Sequence, residues 1–162
     1  MKVNMFKISV GILLLLILQI NCSGQIDFDN PPWNTGCDTS GFTQYEMNMC
    51  SKEKFDIADS VLNSQYDEVI SYMESNMKRH FTKYILSFSS SQLEEYVYFF
   101  IQKNQVIKSK SDFLTFRKSI TEIIAKEYEG GTMMGMAMCN YSLDLTVNQI
   151  KILEKLQDEI IH

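Results

Sequence analysis

Residues 43–84 read TQYEMNMCSKEKFDIADSVLNSQYDEVISYMESNMKRHFTKY, and this stretch decides the fold. Met47, Cys50, Lys54/Phe55, Ala58, Leu62, Tyr66, Val69, Met73, Met77, Phe81 and Tyr84 recur at steps of mostly three and four. That spacing places them on one face of a helix. Thr43 with Glu46 three residues on forms a capping box, a signal for a helix start. The expectation is one long helix, or two nearly collinear ones, with a single buried face.

Outward from this helix the chain stays helical in character. Its two prolines are Pro31 and Pro32, so nothing beyond them locks φ or removes a backbone donor. Two further capping boxes, Ser91 with Glu94 and Thr146 with Gln149, predict helix starts. Leu93, Tyr96, Val97, Phe100 and Ile101 predict a short helix ending near Asn104. Phe113, Phe116, Ile120, Ile123 and Ile124 predict another over 112–128, stopped by Gly130-Gly131. Ile150, Leu153, Leu156 and Ile160 predict a last one over 146–160. By residue type Glu95–Ile101 (EYVYFFI) also suits a strand; the cap at Ser91 and the helical stripe decide for helix. Tyr98 and Phe99 then point away from the stripe, either under another element or as an exposed aromatic patch. Short links favour antiparallel neighbours. The fold expected is all-α: a small antiparallel bundle with one long N-terminal helix. Residues 25–42, with Pro31, Pro32, Asn30, Asn34, Gly36 and Gly41, read as an extended lead-in, and 43–162 as the helical domain.

The first 24 residues have the layout of a secretory signal. Lys2 and Lys7 precede an apolar run, Ile8–Ile20, and small or polar residues follow at Asn21–Gly24. Thirteen residues are too few for a spanning helix, which needs roughly 20. Cleavage after Gly24 leaves a soluble product. Cleavage before Cys22 would leave a lipid-anchored cysteine, although Gln19 and Asn21 fit that pattern poorly. The expected location is outside the cytoplasm, periplasmic or extracellular, with lipid anchoring as the alternative. Losing Lys2 and Lys7 takes the net charge from −5 to −7. An acidic chain without a basic cluster argues against nucleic acid and against anionic membranes. Membrane attachment would rest on Cys22 alone.

Cys37, Cys50 and Cys139 remain. An oxidising compartment favours pairing. A Cys37–Cys50 bridge would pin the lead-in to the long helix, worth about 3 kcal/mol in the chain-entropy view. Cys139 would then be a buried thiol. Pairing of Cys139 with either of the others, or between two molecules, is equally open at this level.

The order of residues resembles a known family. Cys37, then Glu46-Met47-Asn48-Met49-Cys50, then Asp59-Ser60-Val61-Leu62-Asn63-Ser64-Gln65-Tyr66 is similar to the opening signature of the lysozyme-inhibitor LprI-like domain family. Later steps follow in order: Phe113 and Phe116-Arg117, Gly130-Gly131-Thr132-Met133, Cys139, and Leu145-Thr146. The similarity runs from about 37 to 156. The family usually carries a further cysteine after the aromatic-Arg step, where Ile120 and Thr121 stand here. The resemblance therefore implies a Cys37–Cys50 pair and a free Cys139. Phe113, Phe116, Lys110 and Lys118 also depart from the usual Trp, Tyr, Gln and acid, and the stretch between Tyr66 and Phe113 is longer than typical. The resemblance implies an exported helical domain with a protein partner and, for at least one member, inhibition of lysozyme. Lysozymes are commonly cationic, and an acidic partner is steered towards them. Asp59 and Asn63 share a helix face, and Arg117 is the expected partner of Asp59 across the bundle, a structural ion pair.

No catalytic constellation emerges, so the expectation is a non-enzymatic binding protein of the bacterial envelope without cofactor; a structural or interaction domain docking on another envelope protein is the alternative. His80 and His162 sit in no metal spacing, and a Cys139–His80 nucleophile pair lacks an orienting third residue. Gly130-Gly131 lacks the Lys-Ser/Thr of a phosphate loop. Met133, Met134, Met136 and Met138 beside Cys139 have the softness that Cu(I) selects; gap-filling between a loop and the bundle is the simpler reading.

Overall fold

The computed structural model describes residues 26–34, 36 and 43–161. The expected signal segment, Cys22 and Cys37 lie outside the described residues. The chain divides into two units, Met1–Pro31 and Pro32–His162. Of the first, residues 26–31 are described. There the Asp27 side chain accepts from the Asp29 N–H at 3.0 Å and the Asp27 carbonyl accepts from Asn30 at 3.2 Å.

The second unit is all-α. Three helices follow one another: α1, Gln44–Ser87; α2, Ser90–Glu127; and α3, Met134–Ile161. At 1.5 Å per residue they are about 66, 57 and 42 Å long. The described residues contain no strand. Cross-bundle partners fix the directions. Asp59, Asp67, Glu74 and Phe81 of α1 meet Arg117, Lys110, Lys103 and Tyr96 of α2 in descending order. Tyr66, Glu68 and Tyr72 meet Gln149, Gln157 and Ile160 of α3 in ascending order. Hence α2 is antiparallel to both other helices, and α1 and α3 run parallel.

The core lies where the three helices meet. Ala58, Leu62, Tyr66, Val69 and Met73 of α1 are almost wholly buried, as are Ile150 and Leu153 of α3. The stripe on α1 is thus apolar for a packing reason as far as Met73. Beyond it, α3 has ended beside Tyr72, and Phe81, Ile85 and Leu86 are exposed.

Four helices were expected, and the described residues hold three. No Gly or Pro occurs between Ser90 and Glu127, so the backbone has nothing to break it at Asn104–Asp112. Val106 fills the join as a buried residue. The lysines on either side reach acids on α1: Lys103 to Glu74 and Lys110 to Asp67, both 3.3 Å. Their aliphatic stems cover apolar surface, so no continuous apolar stripe is required there.

The face of α2 near its start is also inverted. Leu93, Val97, Phe100 and Ile101 are 38–47% exposed. Phe99 instead packs inward, stacked on His80 at 5.7 Å and edge-on to Tyr72 at 6.4 Å. Tyr98 is exposed and lies edge-on to Phe99 at 5.3 Å, so one ring of the pair is covered by α1 and the other stays open. Phe116 and Ile123, expected inside, are likewise exposed.

Of the three capping boxes, that of Thr43 and Glu46 forms, with both reciprocal hydrogen bonds. Ser91 is inside α2, whose N-cap is Ser89 without a side-chain cap bond. Thr146 sits in mid-α3, its hydroxyl donating to the Ser142 carbonyl at 2.7 Å, a back-bond that mid-helix threonine commonly makes. Helix α3 starts twelve residues earlier, at Met134, after a turn in which Gly130 adopts φ 78°. A side chain there would be strained.

Candidate functional site

The signature residues meet at two places. The first is the centre of the bundle. Arg117 Nη1 donates to Asp59 Oδ1 at 2.6 Å and to Thr146 Oγ1 at 2.8 Å, joining all three helices through one guanidinium. Its carbon lies 5.0 Å from the Phe55 ring centre and 5.5 Å from that of Phe113, so the cation is held between two aromatic rings. Asn63 Nδ2 donates to the Asp59 carbonyl at 2.8 Å and to its carboxylate at 3.3 Å. One turn on, the fully buried Tyr66 accepts from Gln149 Nε2 at 2.8 Å. Burial pushes the Tyr66 phenol above its ordinary range, against the opposing effect of hydrogen bonds with Ser109 and Gln149. Thr121 and Ser142 exchange a hydroxyl contact at 2.9 Å beside this cluster.

The second place is the start of α1. Asn48 accepts from Gln44 at 3.1 Å and donates to the Thr132 carbonyl at 3.3 Å. It thereby ties α1 to the Gly130-Gly131-Thr132-Met133 turn. A Cβ on Gly135 would lie 3.6 Å from the Asn48 side chain, so a small residue suits this approach. The Glu46 carboxyl is held below its ordinary range, chiefly by the Thr43 backbone N–H and then by the Thr43 hydroxyl.

Cys139 is the free cysteine among the described residues, half-buried near the Lys52–Asp56 pair. Burial raises its thiol pKa, Asp56 adds to the rise, and Lys52 opposes it. That is the opposite of nucleophile activation. Cys50 is buried and is not free. Trp33, not singled out in the sequence, is buried and shares a groove with Leu143, Val147 and Lys151 of α3. A single tryptophan in a proline-rich lead-in offered no period to read.

The family model for Lysozyme inhibitor LprI matches residues 37–153. The chain belongs to the LprI family. Its matched span takes in α1, α2 and the first 20 residues of the 28-residue α3. No curated protein and no solved structure matches it. Much of the signature forms joints: Asp59, Asn63, Tyr66, Arg117 and Thr146 clamp the helices, and Asn48 clamps the turn.

A groove of about 780 Å³ runs along the first half of α1. Among its lining residues are Tyr45, Glu46, Met49, Glu53, Asp56 and Ile57. Tyr45 is 72% exposed and Met49 51%. Its charge is net acidic, with Lys52 the cation among the lining residues. Among the described residues no cluster of His, Cys, Asp and Glu suits a metal ion, and no helix is long and apolar enough to cross a membrane.

Proposed function

We propose that this protein is an exported, non-enzymatic inhibitor of lysozyme in the bacterial envelope. The observation that carries the reading is the LprI family match across the bundle; LprI is an inhibitor family. In this reading residues 1–24 are a cleaved signal, and Cys37 bridges Cys50 in the oxidising compartment outside the cytoplasm. Lipidation at Cys22 is the alternative end state.

We assign the contact with lysozyme to the groove along α1. It offers an exposed aromatic, Tyr45, and a thioether, Met49, anchors of the kind enriched at interfaces. Its acids suit a cationic enzyme and would speed encounter. The test is lysozyme turnover of cell walls with the purified protein in micromolar excess. Clear slowing is expected, and turnover that stays the same at every dose sinks the reading. A Tyr45→Ala, Glu53→Lys double variant is expected to weaken inhibition by about tenfold or more. Full inhibition by that variant would move the contact elsewhere while leaving the inhibitor reading intact.

A further inference from the structure

The end of the α1–α2 hairpin carries an apolar face that the rest of the described chain leaves uncovered. On α1 it comprises Phe81, Ile85 and the C-cap Phe88, spaced by four and three residues. On α2 it comprises Leu93, Val97, Phe100 and Ile101, again at helical steps. Tyr96 bridges the two rows, 5.5 Å from the Phe81 ring and 6.5 Å from that of Phe100. Tyr72, whose hydroxyl meets the end of α3 at the Ile160 carbonyl, lies nine residues before Phe81. Two and a half turns put them on opposite sides of α1. The face therefore looks away from α3.

We infer that this face is the pairing surface for a second copy of the chain, forming a four-helix contact between two hairpins. Two observations commit to that occupant. The first is area. The seven side chains are 38–78% exposed; at roughly 150–200 Å² each when fully open, they present about 600 Å². Pairing two such faces buries about 1,200 Å², where specific interfaces begin, and 600 Å² is at the upper edge of what a monomer leaves bare.

The second is charge. Beyond Glu74, α1 carries Lys78, Arg79 and Lys83 and no acid, whereas α2 up to Gln102 carries Glu94 and Glu95 and no base. Lys78, Lys83, Glu94 and Glu95 make no ion pair among the described residues. Lys78 lies seven residues from Ile85, and Glu94 seven from Ile101, so each charge edges the apolar face. A two-fold axis along the hairpin sets α1 of one copy against α2 of the other, basic edge against acidic edge. An axis across the hairpin sets α1 against α1 and like charges together. The surface is self-complementary in the first arrangement, as an isologous contact must be.

The test is sedimentation equilibrium of the purified protein over micromolar to several hundred micromolar concentrations. A monomer–dimer equilibrium in the micromolar range is expected, weakening with salt. Ile85→Asp with Val97→Asp should weaken pairing by more than about tenfold while helical circular dichroism is kept, since both sites are exposed. Lys78→Glu should weaken it, and Lys78→Glu with Glu94→Lys should restore it. A monomer at every concentration overturns the inference, as does a dimer indifferent to these changes. Binding of the monomer to lipid vesicles through the same face, lost in the Asp variants, would also overturn it. Lysozyme inhibition by the Asp variants reports on the groove along α1 separately.

Discussion

Arg117 is the residue on which the bundle turns. Its side chain is mostly withdrawn from solvent, with Asp59 about one-third open. It touches α1 through Asp59 and α3 through Thr146, and two aromatic rings close over it. Taking the charge off Asp59 leaves a guanidinium in a half-dry pocket with neutral partners, which is costly. Asp59→Asn is expected to destabilise by about 2 kcal/mol, reduced from the fully buried case because Asp59 keeps some solvent. That should appear as a drop in Tm of several degrees. An unchanged Tm would remove the structural role assigned to the pair. Asp59 and Arg117 could be matched from the sequence because residue type and a known motif order both pointed to them. The third member, Thr146, was read as a helix cap. Ser/Thr with Gln three on is a short pattern, and the same residues serve a mid-helix back-bond equally well.

At the scale of the element, the long α1 was legible because its stripe, its cap at Thr43 and its freedom from Gly and Pro agree. The boundary between the expected second and third helices was misplaced because polar residues at Asn104–Asp112 mimic a loop. In the folded chain their lysines bind across to α1 instead. The face of α2 was misassigned for a related reason. Exposed apolar residues at Leu93, Val97, Phe100 and Ile101 carry the same period as a core stripe, and a single sequence does not distinguish a face covered by its own chain from one left open. The turn joining α1 to α2 is two residues long. Phe88 caps α1 in the left-handed region at φ 50°, its N–H bonded to the Tyr84 carbonyl at 2.7 Å. A β-carbon is costly in that conformation, and glycine is the usual occupant of it. Phe88→Gly should therefore stabilise the hairpin by about 0.5–1 kcal/mol in dilute, monomeric protein, measured as a higher midpoint in denaturant. A lower midpoint would show that Phe88 contributes more through its edge contact with Tyr84 than it costs in backbone strain.

Across the whole molecule, the later part of the signature, Asp59, Asn63, Arg117 and Thr146, holds three helices together, while Glu46 and Met49 of its opening step line the groove beside α1. Neither the acid-rich groove beside α1 nor the bare end of the hairpin uses Asp59, Asn63, Arg117 or Thr146. Fold was readable from the sequence because buried stripes and clamps recur at fixed helical spacing, whereas exposed residues such as Tyr45 and Met49 follow the same helix without a period of their own to mark them. The overhang of α1 and α2 past the end of α3 has a further consequence. Helices of about 66 and 57 Å beside one of about 42 Å leave protection graded along the long axis. Amide hydrogens around Leu62, Val69 and Ile150 should exchange slowly, near the rate set by global opening. Those of 78–98 should exchange through local opening of the arm alone. Hydrogen-exchange mass spectrometry in dilute protein is expected to show that gradient, and uniform protection from Thr43 to Glu127 would contradict it.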